Sequence, residues 1–251
     1  MKTYGLIGYP LGHSFSKKYF TAKFEKEGIS DARYELFPLP DINGIEKLIL
    51  KNPELEGLSV TIPHKETVIP FLNELSEEAK AIGAVNTVKI IRNKNTIHTK
   101  GYNTDVYGFS KSLKESGREF RRALILGSGG ASKAVAYALT KMGTEYRIVT
   151  RNKKNKSKGF LTYNELDKSV IRESELIVNT TPLGTFPKPE QAPNIPYKYL
   201  NENHFLFDLV YNPPETLFMK KGNAQGASVS NGLKMLYYQA DKAAEIFEIG
   251  K

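Results

Sequence analysis

A lysine, a carboxylate and a glycine-rich turn are the parts of this sequence that suggest chemistry. Lys65 ends the run Thr61-Ile62-Pro63-His64-Lys65, behind the apolar segment Leu58 to Ile62. If that segment is a strand, Lys65 opens the helix after it, where the helix dipole disfavours a cation. It is either one more surface lysine or a lysine with a task. Asp105 closes Gly101-Tyr102-Asn103-Thr104-Asp105, ahead of a helix expected over 106–114. Asn103 or Asp105 could simply cap that helix. Alternatively Asp105 faces Lys65 across a cleft at a domain junction, which is a proton-transfer arrangement. Ser14 and Ser16 precede a helix expected over 15–26 and either cap it or bind a carboxylate. Asn86 is polar within Ala84-Val85-Asn86-Thr87-Val88, so its amide needs partners, and a ligand is one candidate. Tyr211 sits at a strand end, where it packs or reaches a ligand. Gln239 borders the apolar stripe Leu233, Leu236, Ala240, Ala244 and Phe247, and faces the cleft if that helix packs back on the N-terminal half.

The glycine turn, Gly127-Ser128-Gly129-Gly130-Ala131, follows the β-rich run Ala123 to Leu126 and precedes a stretch rich in Ala and Leu. Strand, glycine turn and helix in that order are the context of a dinucleotide site. The glycines let the backbone approach a pyrophosphate, and the helix N-terminus offers it free N–H groups. Ser132 stands where a third glycine would be, and a plain strand–turn–helix is the alternative. The next strand, Tyr146 to Val149, ends in Thr150-Arg151-Asn152-Lys153-Lys154. An NAD site usually carries an acid there for the ribose 2′-hydroxyl. Cations in its place are the pattern for a 2′-phosphate, so the expected cofactor is NADP. Taken alone, the run Arg151 to Lys158 could be a nucleic-acid patch.

These residues need a frame. In the first part, strands are expected over 4–7, 33–37 and 58–62, helices over 15–26 and 41–51, and a helix in two pieces over 67–81, broken at Pro70. Two antiparallel strands follow over 85–91 and 96–100. The alternation of strand and helix argues a mainly parallel sheet covered on both faces. The second part adds strands over 176–179 and 205–209, a proline-rich loop over 186–196, and a last helix beginning near Asn231-Gly232. With 251 residues and 40% hydrophobic content, the chain can build two modest domains with real cores. It has no cysteine, so thiolate chemistry is excluded, and His13, His64, His98 and His204 show no metal-ligand spacing. No apolar run approaches a membrane span and the N-terminus lacks the apolar core of a signal peptide, so a soluble cytoplasmic protein is expected. The net charge of +9 suits anionic ligands.

Taken in order, the segments Ser14-Phe15-Ser16, Ser59 to Lys65, Gly83 to Thr87, Gly101 to Asp105, Gly127 to Ala131, Thr150-Arg151-Asn152, Asn179-Thr180-Thr181-Pro182, Asp208 to Tyr211, Asn231-Gly232-Leu233, Met235-Leu236 and Gln239-Ala240 resemble the shikimate dehydrogenase family across nearly the whole chain. The resemblance implies a two-domain α/β fold with a cleft between the domains. An N-terminal open α/β substrate domain would span 1–102, completed by the helix over 232–251, and a Rossmann-type NADP-binding domain would span 103–231. The activity implied is reversible reduction of 3-dehydroshikimate to shikimate by NADPH, in the shikimate pathway of aromatic amino-acid biosynthesis. Ser14, Ser16 and Tyr211 would hold the substrate carboxylate. Thr61, Lys65, Asn86, Asp105 and Gln239 would hold its hydroxyls. Lys65 would be the acid/base, oriented and charge-balanced by Asp105. Leu209 and Gly232 would lie near the nicotinamide, with Glu77 close to it. Gly127, Ser128, Gly129, Gly130, Ala131, Thr150, Arg151, Asn152, Lys153 and Thr180 complete the implied cofactor site. The partners implied are small molecules, with no nucleic acid and no membrane, for a monomer or homodimer. Two departures stand out: Ser59 replaces a frequent Asn, and Thr150-Arg151-Asn152 replaces the usual Asn-Arg-Thr. The alternatives are a quinate/shikimate dehydrogenase with broader substrate or cofactor use, a non-catalytic NADP-binding regulator on the same fold, and a nucleic-acid binder through the basic run. Keeping both Lys65 and Asp105 argues against the regulator, since a sensor has no need of that pair.

Overall fold

A computed structural model describes residues 1–12, 15–94, 96–151 and 159–250. The chain divides into two units, Met1–Tyr107 with Gln239–Lys251, and Gly108–Tyr238. It leaves the first unit inside one helix, α5 (Asp105–Lys114), and returns to it inside another, α9 (Leu233–Phe247).

The first unit contains β1 (Lys2–Gly8), α1 (Phe15–Lys26), β2 (Ala32–Pro38), α2 (Ile45–Lys51), β3 (Leu55–Val60), α3 (His64–Thr67), β4 (Glu74–Leu75), α4 (Glu77–Ile82), β5 (Thr87–Asn93) and β6 (Thr96–Tyr102). Its sheet has the order β2-β1-β3-β5-β6-β4. β1 runs parallel to β2 and β3, β5 antiparallel to β3 and β6, and β4 parallel to β6. Each face carries a core, as expected for a sheet that buries both sides. Ile7, Leu58, Val60 and Val88 pack with Ile45 and Ile49 of α2. Tyr4, Leu6, Phe20 and Phe24 pack with Ala240, Ala244 and Phe247 of α9. On α9 the buried residues are Met235, Ala240, Ala243, Ala244 and Phe247, whereas Leu233 is 37% exposed.

The helix expected in two pieces over 67–81, broken at Pro70, forms only at its ends, where Thr67 closes α3 and Glu77 opens α4. Ile69–Phe71 is a single 3-10 turn, and Glu74 and Leu75 pair with Lys100 and Gly101 of β6. Asn73 explains the change. Its Oδ1 accepts from the Thr99 N–H at 2.8 Å, and its own N–H donates to Thr99 Oγ1 at 3.1 Å. This clamp holds the segment extended along the sheet edge.

The second unit contains β7 (Arg122–Leu126), α6 (Gly130–Lys141), β8 (Glu145–Thr150), β9 (Phe160–Thr162), α7 (Lys168–Glu173), β10 (Leu176–Asn179), β11 (Phe205–Asp208), α8 (Leu217–Asn223) and β12 (Ser228–Asn231). Its sheet is parallel throughout, in the order β12-β11-β10-β7-β8-β9. This is the doubly wound order of dinucleotide-binding sheets, with the winding direction reversing between β7 and β10. The central strands are apolar along their length, Leu124, Leu126, Ile177 and Leu206 among them, because helices cover both faces. The sequence alone does not show β9, α7, α8 and β12. They are three to seven residues long, too short to display a period. Among the described residues no helix is long and apolar enough to cross a membrane, and no cluster of three potential metal ligands forms.

Candidate active site

Lys65 is held before its side chain does anything. α3 is one turn long, and its first residue, His64, is 3% exposed with Nε2 at 2.5 Å from the Leu39 carbonyl oxygen. The His64 N–H donates to the Thr61 carbonyl at 2.9 Å, and the Val85 N–H donates to the Lys65 carbonyl at 2.7 Å. The turn is thus tied to both β3 and the approach to β5. From it Lys65 Nζ donates to Asp105 Oδ2 at 2.6 Å, the two side chains being 17% and 8% exposed.

The cap of α5 is Asn103. Its Oδ1 accepts from the N–H groups of Asp105 and Val106 at 3.1 and 3.4 Å. The Asp105 carboxylate is therefore left for side chains. Its second oxygen, Oδ1, accepts from Asn86 Nδ2 at 2.9 Å. Asn86 stands just before β5, not inside it, and is 4% exposed. Its amide oxygen accepts from the Thr104 N–H at 2.7 Å, and its amide nitrogen also faces Gln239 Oε1 at 3.4 Å. The amide that needed partners finds them in the protein, and by finding them it braces the carboxylate that pairs with Lys65.

Four of the expected residues, Lys65, Asn86, Asp105 and Gln239, thus form one network, joined by Thr104, whose Oγ1 donates to Gln239 Oε1 at 3.3 Å. Thr61 sits at the exit of β3, its N–H donating to the Ile7 carbonyl at 2.9 Å. Ser16 is half-buried in the first turn of α1, and Ser14 lies outside the described residues. Glu77 is exposed in the first turn of α4, which Ser76 caps by accepting from the Ala79 N–H.

The second unit holds the remaining residues. Gly127 directly follows β7 with φ +115°, a conformation that favours glycine. A Cβ there would also meet Thr180 Oγ1 at 2.7 Å, so Thr180 at the end of β10 closes on the glycine turn across the switch point. Gly129 is the extended N-cap of α6, with no atom of the described residues within 4 Å of the place a Cβ would take. Gly130 and Ala131 begin the helix, whose first turn has no acid. An open glycine at an N-terminus free of negative charge fits a pyrophosphate. Ser128 Oγ lies 3.4 Å from Thr150 Oγ1, joining this turn to the end of β8. Arg151 follows there, exposed, while Asn152 and Lys153 lie outside the described residues. Ser132 is fully buried, its hydroxyl without a partner among the described residues.

Gly232 packs so closely on β11's exit that a Cβ would overlap the Leu209 carbonyl oxygen. Its N–H donates to the Val210 carbonyl at 3.2 Å. Burial pushes the Tyr211 phenol up from its ordinary range. Beneath these residues lies a network that sequence reasoning did not single out. Asp208 Oδ1 accepts from Asn179 Nδ2 at 2.9 Å and the Val210 N–H at 3.0 Å, and Oδ2 from Thr216 Oγ1 at 2.6 Å. Burial pushes the Asp208 carboxyl up to about 6, against the pull of these three donors. The signal available was a polar residue closing each of two apolar strands.

Comparison with known proteins bears on all of this. Residues 6–88, which include Ser16, Thr61, Lys65 and Asn86, match the family model described as the shikimate dehydrogenase substrate binding domain. The shikimate dehydrogenase (NADP(+)) of Caldanaerobacter subterraneus subsp. tengcongensis is 38% identical over 260 residues, spanning 96% of this chain and 90% of that protein. The chain belongs to the shikimate dehydrogenase family. The fold agrees over the same length. Shikimate dehydrogenase 1 from Peptoclostridium difficile superposes with a TM-score of 0.86 at 36% identity, covering 100% of this chain and 93% of that one. The shikimate 5-dehydrogenase from Thermus thermophilus, solved in complex with NADP(H) and shikimate, gives 0.85 at 32% identity, covering 98% and 93%. The architecture of a substrate domain plus a Rossmann-type domain is that of the shikimate dehydrogenase family.

Proposed function

We propose that this chain is an NADP-dependent oxidoreductase that interconverts 3-dehydroshikimate and shikimate, a step of the shikimate pathway toward aromatic amino acids. The observation that carries the reading is the withdrawn Lys65–Asp105 pair braced by Asn86. A dinucleotide-binding protein without chemistry has no use for such a pair.

The chain's own residues divide the work. Lys65 Nζ gives a proton to the C3 oxygen of the bound ketone in reduction and takes it back from the alcohol in oxidation. Asp105 keeps the ammonium aimed and balances its charge. Its other oxygen is fixed by Asn86, so it cannot swing away with the lysine. Gln239, Thr61 and Asn86 are assigned to the hydroxyls, and Ser14, Ser16 and Tyr211 to the carboxylate. NADPH, when bound, supplies the hydride. Gly127, Ser128, Gly129, Gly130, Ala131 and Thr180 would hold its pyrophosphate side, and Thr150, Arg151, Asn152 and Lys153 its 2′-phosphate. Leu209 and Gly232 would hold the nicotinamide side, with Glu77 near it. We assign residues 1–102 with 232–251 to the substrate and 103–231 to the cofactor. We place the protein in the cytoplasm as a monomer or homodimer, acting on small molecules without a nucleic-acid or membrane partner.

The test is the absorbance of reduced nicotinamide on mixing the protein with NADP and shikimate, repeated with NAD and with quinate. Rapid signal with NADP and shikimate supports the reading. A clear preference for quinate or NAD would replace it with a broader dehydrogenase. Silence with every pair, despite NADPH binding, would make the chain a regulator.

A further inference from the structure

β2 carries a tyrosine to which the residues above give no task. Tyr34 is 2% exposed, and its ring lies flat on Phe20, with centroids 4.5 Å apart and planes 4° apart. Phe20 comes one turn after Ser16 on α1, so the two share a face of that helix. The stacking fixes where the phenol points. The side chains that bear on its oxygen are the hydroxyls of Ser59 and Ser16. Neither completes a hydrogen bond, and the Tyr34 oxygen is one of three buried side-chain polar atoms without a partner among the described residues. Buried polar groups are normally paired. A buried donor left open beside two hydroxyls is half of an interaction.

We propose that Tyr34 is a positioning residue for the substrate carboxylate, acting through the hydroxyls of Ser16 and Ser59. The proposal rests on reading Ser16 as a carboxylate ligand. A serine that donates its hydrogen to a carboxylate keeps lone pairs with which to accept. The phenol is the donor placed to fill one of them. Once it does, the serine hydrogen is turned toward the anion, and each member of the chain, phenol to serine to carboxylate, donates once. Hydrogen bonds linked in this way polarise one another and strengthen. Without the anion nothing selects that arrangement, and the phenol stays open.

The experiment compares wild type with Tyr34→Phe, which keeps the stacked ring and removes only the hydroxyl. Steady-state rates are measured with shikimate and NADP, and thermal unfolding with and without shikimate. The variant is expected to raise KM for shikimate about three- to ten-fold, with kcat within about two-fold of wild type and KM for NADP unchanged. Its ligand-free Tm should equal or exceed that of wild type, because an open buried hydroxyl is gone, while the shikimate-induced rise in Tm shrinks. An unchanged KM for shikimate with the full Tm response overturns the proposal. So does a lower ligand-free Tm with kcat and both KM values disturbed together, which is the signature of packing. Wild type that fails to turn over shikimate with NADP overturns the functional reading itself, and that result is seen before the variant is compared.

Discussion

Lys65 Nζ and Asp105 Oδ2 lie 2.6 Å apart although forty positions separate them in the chain. Neither has much water to fall back on, so each depends on the other. Lys65→Ala is expected to lower kcat for shikimate oxidation about 10²- to 10⁴-fold, with a smaller change in KM. Steady-state kinetics at saturating NADP check this. A kcat near wild type would remove Lys65 from the proton-transfer role.

Asn86 is the brace of that pair. Asn86→Ala would leave Asp105 Oδ1 and the Thr104 N–H short of a buried partner. The expected cost is about 2 kcal/mol of folding stability or more, read from denaturant midpoints, together with a loss of kcat. A variant as stable and active as wild type would mean that water replaces the amide without penalty.

Arg151 is exposed at the end of β8, where a ribose 2′-substituent is recognised in this fold. Arg151→Ala should raise KM for NADP about ten-fold or more while leaving KM for NAD nearly unchanged, since only the 2′-phosphate can use a charge-assisted hydrogen bond. Equal effects on the two cofactors would cancel the argument from charge.

Gly232 leaves no room for a side chain. Gly232→Ala must push a Cβ into the Leu209 carbonyl, and backbone cannot yield as a flexible side chain does. A loss of about 1–3 kcal/mol in stability is expected. Weaker cofactor binding should accompany it, measured by NADPH titration. An alanine variant indistinguishable from wild type in both would show that the β11 exit is plastic.

Asp208 gives a pH dependence whose sign is fixed by its environment. Its carboxyl is raised from 3.8 to about 6 in the folded protein, so folding favours the protonated form. The stabilising contribution is complete below about pH 4 and is lost as pH rises through 6. On protonation, the Thr216 hydroxyl that now donates to Oδ2 can turn and accept instead. The difference in unfolding free energy between wild type and Asp208→Asn should therefore shift against wild type between pH 4 and 7, by on the order of 3 kcal/mol. Other carboxylates titrate equally in both proteins and cancel. A flat difference across that window would mean that Asp208 titrates as an ordinary carboxylate.

What the sequence alone determined was local. The strand–glycine turn–helix at Gly127 to Ala131 was legible because φ-permissive residues, an apolar strand and good helix formers must follow one another in the chain to make it. The cations after β8, and the absence of an acid there, were equally plain. Long apolar strands and α1 showed themselves by period. What only the tertiary structure decided depends on which strands are neighbours. Lys65, Asn86, Asp105 and Gln239 meet because β3, β5 and β6 pair and α9 returns to the first unit, and no local pattern encodes those pairings. Asn103 rather than Asp105 caps α5, a choice between two capable residues that the backbone made. Glu74 and Leu75 became a strand because Asn73 found Thr99 across the sheet, against a helical reading of the same residues. Asp208 drew its significance from burial, and Tyr34 from stacking on Phe20. Depth and contact across the chain are properties of the folded sheet, and the order of residues shows them only after the chain has closed on itself.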